Sequence, residues 1–166
     1  MPESANSTDL AADERALAEH AGRLADGVEA ALPGWVVRSV TVVADAWRPG
    51  LGGELQPAAR AAGTAAVADV GPRLRALLAT DVDEQRTGPL AVIRTAVRYP
   101  TEVLAAAGVG PVQRDEFAER SFPDDVYDLA PASFADLDPA LHEPGLVWGA
   151  AKAHVVLARR RAEGKR

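Results

Sequence analysis

Leu10, Leu17, Leu24 and Ala31 recur every seven residues near the start of the chain, with Val28 beside them. Asp13, Glu14, Arg15, Glu19 and Arg23 fill the other faces. An apolar stripe with charges opposite predicts an amphipathic helix. Thr8 or Asp9 is placed to cap it, and Pro33-Gly34 to end it near Leu32. Residues 1–7 are short, polar and terminal, so a disordered tail is expected there. From Trp35 to Trp47 two signals conflict. The valines favour a strand, yet Val36, Val40, Val43 and Trp47 recur at helical spacing, with Arg38, Thr41, Asp45 and Arg48 as the opposite stripe. The period predicts a helix; the alternative is an edge strand.

Further along, residues 48–57 read as a loop on their glycines and prolines. Ala58 to Val70 is alanine-rich and helix-competent, and Gly71-Pro72 is expected to kink or break it before a second piece carrying Leu74, Leu77 and Leu78. Residues 81–88 read as a polar turn. Pro89 suits a helical first turn, and Leu90, Ile93 and Val97 continue an apolar stripe. Tyr99 precedes a proline, which predicts a boundary. Thr101 is a candidate cap and Gly108 a stop. Gln113 to Arg120 predicts a short helix. Residues 122–144 carry four prolines and predict turns and one-turn helices, with Ser133 and Asp138 as caps. A last helix is expected from Leu146 to Arg161, then a fraying basic tail, 162–166. The pattern as a whole predicts an all-α, single-domain bundle of about five helices over residues 8–161, with an irregular segment, 115–144, packed over it.

Composition changes this picture little. A chain of 166 residues suits one domain. There is no cysteine, so no disulfide or thiolate metal site is possible. No run of about 18 apolar residues and no apolar leader are seen, which makes a cytoplasmic protein without a membrane span the expectation.

Charge changes it more. The net charge is −6, which argues against nucleic-acid binding by the surface at large. Residues 115–143 hold nine acidic residues against one arginine, Arg120, together with Phe117, Phe122, Tyr127 and Phe134. The chain then turns basic, with Arg159, Arg160, Arg161, Lys165 and Arg166 at its end. Aromatic rings set among carboxylates predict a segment that docks, rings inward and charges outward.

Candidate chemistry is sparse. Asp124, Asp125 and Asp128 with His142, Glu143 and His154 have the residue types of a cation site, but no Glu-x-x-His pair or EF-hand spacing, and read as solvated or salt-bridged acids. His142 beside Glu143 has the makings of a general base, without a nucleophile motif; Ser121 and Ser133 read as turn residues. Gly50-Leu51-Gly52-Gly53 fails both phosphate-loop patterns. Lys152, one of two lysines, reads as an ion-pair partner of the acidic segment rather than a buried amine nucleophile. Arg94 and Arg98 share a helical face.

The run Thr80–His154, notably RDEFAERSFPDDVYDLAPASFADLDPALHEPGLVWGAAKAHV, resembles an uncharacterised protein family of high-GC actinobacteria, a source that also suits the arginine and alanine biases. The resemblance covers under half of the chain and implies no activity and no catalytic residues. The expectation is a non-enzymatic adaptor without cofactor or metal, whose Asp124, Asp125, Asp128, Asp136 and Asp138 receive a basic protein surface. The alternative is a small-molecule-binding protein or enzyme with a pocket lined by Asp125, Tyr127, His142, Lys152 and His154.

Overall fold

The computed structural model describes residues 2–80, 88–110 and 129–164, and of residues 2–8 the backbone alone. All regular structure among the described residues is helical, in the order α1 (Pro2–Trp47), α2 (Leu51–Glu54), α3 (Gln56–Ala79), α4 (Pro89–Arg94), α5 (Arg98–Ala106) and α6 (His142–Gly164). Single 3-10 turns lie at Thr95–Val97, Phe134–Asp136 and Pro139–Leu141. The bundle is all-α, with α1 as the central element that α2, α3, α5 and α6 contact.

The two segments expected on either side of Pro33 are one 46-residue helix. Its N-terminus reaches back through the expected tail and past Thr8 and Asp9, which therefore do not cap it. Pro33 lacks the N–H that would bond the carbonyl of Glu29, and a proline in a helix interior costs about 3 kcal/mol. The helix continues because its buried stripe does: Leu24, Val28, Leu32, Trp35, Val36 and Val40 are all buried. Each such side chain contributes roughly 1.5–3 kcal/mol, so the three nearest Pro33 outweigh the break.

The same reasoning corrects the expected break at Gly71-Pro72. α3 runs through Pro72, with Ala66, Val70, Leu74 and Leu78 buried on one face. It lies antiparallel to α1, as three contacts show. Gln56 donates to Thr41 at 3.1 Å. A Cβ on Gly63 would meet Pro33 Cα at 3.0 Å, and one on Gly71 would meet Glu29 Oε1 at 2.8 Å. Glycine at these positions lets the two helices approach closely.

The expected loop 48–57 is mostly helical. Gly50, at φ 87, makes the turn; Asp45 Oδ1 accepts from the Gly52 amide at 2.8 Å, and Leu51 is buried. The stripe Arg38, Thr41, Asp45 and Arg48 is largely exposed, yet its side chains are bonded. Arg38 donates to the Leu137 carbonyl, Thr41 accepts from Gln56, and Arg48 pairs with Glu54, each tying α1 to another segment.

The boundary expected at Tyr99-Pro100 falls earlier, in the 3-10 turn at Thr95–Val97. Thr101 is helical and donates to the Val97 carbonyl rather than capping. Gly108, at φ 82, follows α5 as expected. The last helix starts at His142, before Pro144-Gly145, because a proline is tolerated in a helical first turn, and it extends to Gly164 in the expected tail. It runs antiparallel to the first half of α1, with Arg159 on Glu14 and Leu141 against Gly27. One stretch of α1 is long and apolar enough to cross a bilayer, against expectation. The residues that make it so are partly those of the core, and 39% of that stretch is buried in the fold.

Ion pairs clamp α3 in place. Arg75 bonds Glu29 and Asp26 of α1. Asp69 accepts from Tyr99 at 2.8 Å and pairs with Arg73. The Arg75 hydrogen bond holds the Glu29 carboxyl below its usual range, and the Tyr99 hydroxyl does the same for Asp69. A depressed carboxyl contributes stability above its unfolded pKa, lost as pH falls through the folded value. The melting temperature should therefore fall as pH drops below about 4.5 towards 2. A Glu29→Gln, Asp69→Asn chain should show a flatter profile over that window, and an unchanged slope would remove these two groups as its cause. Because Arg75 is well exposed, Arg75→Met should cost at most about 1 kcal/mol at neutral pH.

Candidate functional site

Residues 129–141 form the described part of the acidic-aromatic segment, and three kinds of contact hold them. Apolar burial comes first: Leu137 and Leu141 are buried in the main core. Phe134 packs against the same core and lies over Gly145, where a Cβ would meet its ring at 2.6 Å. The second kind is charged donors on bare carbonyls. Arg38 Nη2 donates to the Leu137 carbonyl at 2.6 Å, and Arg94 Nε to that of Pro131 at 2.9 Å. Caps are the third. Asp136 Oδ2 accepts from the amides of Ala132 and Ser133, and Asp138 Oδ1 accepts from Ala140.

Asp136 and Asp138 were expected to meet a partner; their first role is local. Each accepts backbone amides that the short 3-10 turns leave open. Their negative charge remains, and Asp136 is exposed. Asp124, Asp125 and Asp128, with Phe117, Phe122 and Tyr127, lie outside the described residues. Of the large rings expected to face inward, Phe134 and Trp148 do.

This arrangement leaves a groove of about 390 Å³ between α1 and residues 129–136, with Trp35, Ser39 and Val42 on one wall, Leu129 and Pro131 on the other, and Arg38 and Asp136 at the rim. Trp35 is buried at its base, whereas Val42 is 69% exposed. Trp47, 55% exposed, lies five residues further along α1. An apolar floor with a cation and an anion at its edge suits an extended or helical segment that carries both an apolar side chain and charge.

The expected small-molecule pocket does not form from its described members. His142 is exposed in the first turn of α6, about 18 Å along the helix from His154 at 1.5 Å per residue. Lys152 sits over the Trp148 ring at 5.3 Å, as a cation on an aromatic face, and among the described residues it pairs with no acid of the 115–143 segment. His154 Nε2 lies 3.1 Å from Asp13 Oδ2, at the far end of α1. Asp125 and Tyr127 lie outside the described residues.

A different groove, of about 320 Å³, opens between α1 and the end of α3. Leu17, Ala21, Ala25 and Leu78 make it apolar, and the small Ala18 and Gly22 leave it open. Arg75 and Arg159 edge it, each bonded to a carboxylate of α1.

Sequence reasoning missed the polar cluster at Tyr99. This ring is buried, its hydroxyl donates to Asp69 and accepts from Arg98 at 2.9 Å. Burial first, then the Asp69 bond, pushes the phenol up, which keeps the hydroxyl protonated as a donor and a strut between α5 and α3. No local signal joins residues thirty positions apart. Among the described residues no three His, Asp or Glu side chains gather as a metal would need. No protein family, curated protein or solved structure matches this chain.

Proposed function

We propose that this chain is a non-enzymatic, cytoplasmic interaction protein that receives a basic segment of a partner protein on its acidic side. One observation carries the reading: the groove between α1 and residues 129–136 has Trp35 and Val42 on one wall and the exposed Asp136 at its rim. A partner that inserts an apolar side chain between Val42 and Pro131 would bring its lysines or arginines over Asp136. Apolar contact would supply the anchor and charge the steering.

The test is capture of partners from the native host, followed by a salt titration of the purified complex. Affinity should fall as ionic strength rises from about 50 to about 300 mM, because exposed pairs are screened over a Debye length of about 8 Å. Val42→Lys should weaken binding by at least about tenfold, from lost apolar contact and like-charge repulsion, while leaving the melting temperature unchanged, since Val42 is exposed. A complex indifferent to both salt and Val42→Lys overturns the reading.

The α1–α3 groove supports a second reading, a binder of a small apolar molecule, because its floor is alkyl and its two guanidiniums are already neutralised by carboxylates. Ala21→Trp would fill it; a ligand whose binding survives that change does not use it.

A further inference from the structure

The outward face of α6 is apolar and symmetric in a way that the described residues do not use. Trp148 and Val155 are buried against α1. At about 100° per residue, Leu157 points about 180° away from Trp148 and Leu146 about 160° away. Leu146 is 61% exposed and Leu157 50%. Between them on the same stripe lie Ala150 and Ala153, both exposed. Glu143 and the Arg160-Arg161 pair bound the stripe, one at each end, and all three are exposed. No charged residue lies on the stripe between these ends.

The order of these positions is palindromic. Glu143, Leu146, Ala150, Ala153, Leu157 and Arg160 are spaced three, four, three, four and three, centred between Ala151 and Lys152. A two-fold axis at that centre, perpendicular to the helix, sets a second α6 antiparallel to the first. Leu146 then meets Leu157 of the second copy, Ala150 meets Ala153, and Glu143 meets the Arg160-Arg161 pair, each contact occurring twice. This is the self-complementarity that a two-fold interface requires. Alanines at the centre let the helix axes approach to about 8 Å. The antiparallel arrangement also sets each helix N-terminus beside the other's C-terminus, the favourable alignment of their dipoles.

The geometry points to a second copy of this chain as the occupant of the α6 face, in a homodimer closed by an antiparallel α6 pair with Glu143 to Arg160-Arg161 bridges at both ends. A single pair of helices this long buries on the order of 1,000 Å², the low end for a specific complex. The dimer should therefore be weak and concentration-dependent, micromolar or weaker. It is independent of the acidic groove, which lies on α1 and residues 129–136.

Sedimentation equilibrium of the full chain from about 10 µM to about 1 mM reads it directly. The weight-average mass should climb from 17.4 kDa towards twice that. Leu157→Glu, at an exposed position, should hold the chain monomeric across the range with its helical circular dichroism intact. Glu143→Arg alone and Arg160→Glu, Arg161→Glu alone should each weaken self-association at least about tenfold, because each sets like charges together at both ends. An equimolar mixture of the two should associate at least as well as the parent, since both bridges form again in the heterodimer. The inference is overturned by a parent chain monomeric at about 1 mM, by a dimer that survives Leu157→Glu, or by a mixture no tighter than its components. A monomer whose tryptophan emission shifts on anionic phosphatidylglycerol vesicles, and does not with Leu157→Glu, also overturns it and assigns the face to a lipid surface.

Discussion

Gly63→Leu should melt well below the parent chain, by roughly 6–12 °C. The reason is the position of the α1 backbone. A Cβ at Gly63 would sit 3.0 Å from Pro33 Cα and 3.2 Å from its carbonyl oxygen, closer than carbon atoms pack. The obstacle is backbone in the middle of a 46-residue helix, so it cannot rotate aside as a side chain would. Relief requires α1 and α3 to separate, which loosens Ala66, Val70 and Leu32 in the core. Overpacking typically costs 1–3 kcal/mol; a leucine against backbone should reach about 3, and a chain of this size loses about 2–4 °C per kcal/mol. Gly22→Ala is the matched control. It lies in α1 with no neighbour within 4 Å of the new methyl, and should gain up to about 1 kcal/mol from helix propensity. Thermal melts of the three chains decide the matter; a Gly63→Leu chain melting within about 2 °C of the parent would show that the helices do not approach as described.

Leu137→Ala should cost about 2–4 kcal/mol, the range for a fully buried leucine, and should loosen one region more than the rest. Leu137 anchors residues 129–141 to the core, and its carbonyl is the acceptor for Arg38. Deleting the side chain removes the burial that holds that carbonyl in place. Hydrogen exchange should therefore accelerate at Ala132, Ser133 and Ala140, whose amides rest on Asp136 and Asp138, before it does in α1 or α3. Arg38→Ala should reproduce the local loosening at a smaller global cost, about 1.5–3 kcal/mol for a hydrogen bond to a charged group. Uniform acceleration across the bundle in both variants would mean that the segment is not a separately held unit. Because the proposed groove needs that segment as its second wall, either change should also weaken partner binding.

Helical class, the core stripes and the last helix were legible in the chain, because period is a local property. Leu17, Leu24, Val28, Val36 and Val40 were placed correctly on a buried face. So were the turns around Ser133 and Asp138, where short polar side chains beside prolines have few other uses. The candidate site was read less well. The sequence marks which acids lie near one another in the chain, not which spend their oxygens on backbone amides. It pointed to Asp136 and Asp138 as partner contacts, and it placed Arg38 and Arg94 on helical faces without the carbonyls of Leu137 and Pro131 that they bond.

What the sequence by itself determined is the set of apolar stripes, and with them an all-α bundle, together with a strongly acidic stretch over residues 115–143. Only the tertiary structure decided that α1 and α3 run unbroken through Pro33 and Pro72. A proline's local penalty is set within one helical turn, whereas the burial that outweighs it comes from residues on other helices. It also decided that His142, Lys152 and His154 do not converge. Positions twelve residues apart on one helix stay about 18 Å apart whatever their chemistry, and only the structure shows that residues 142–164 are one helix.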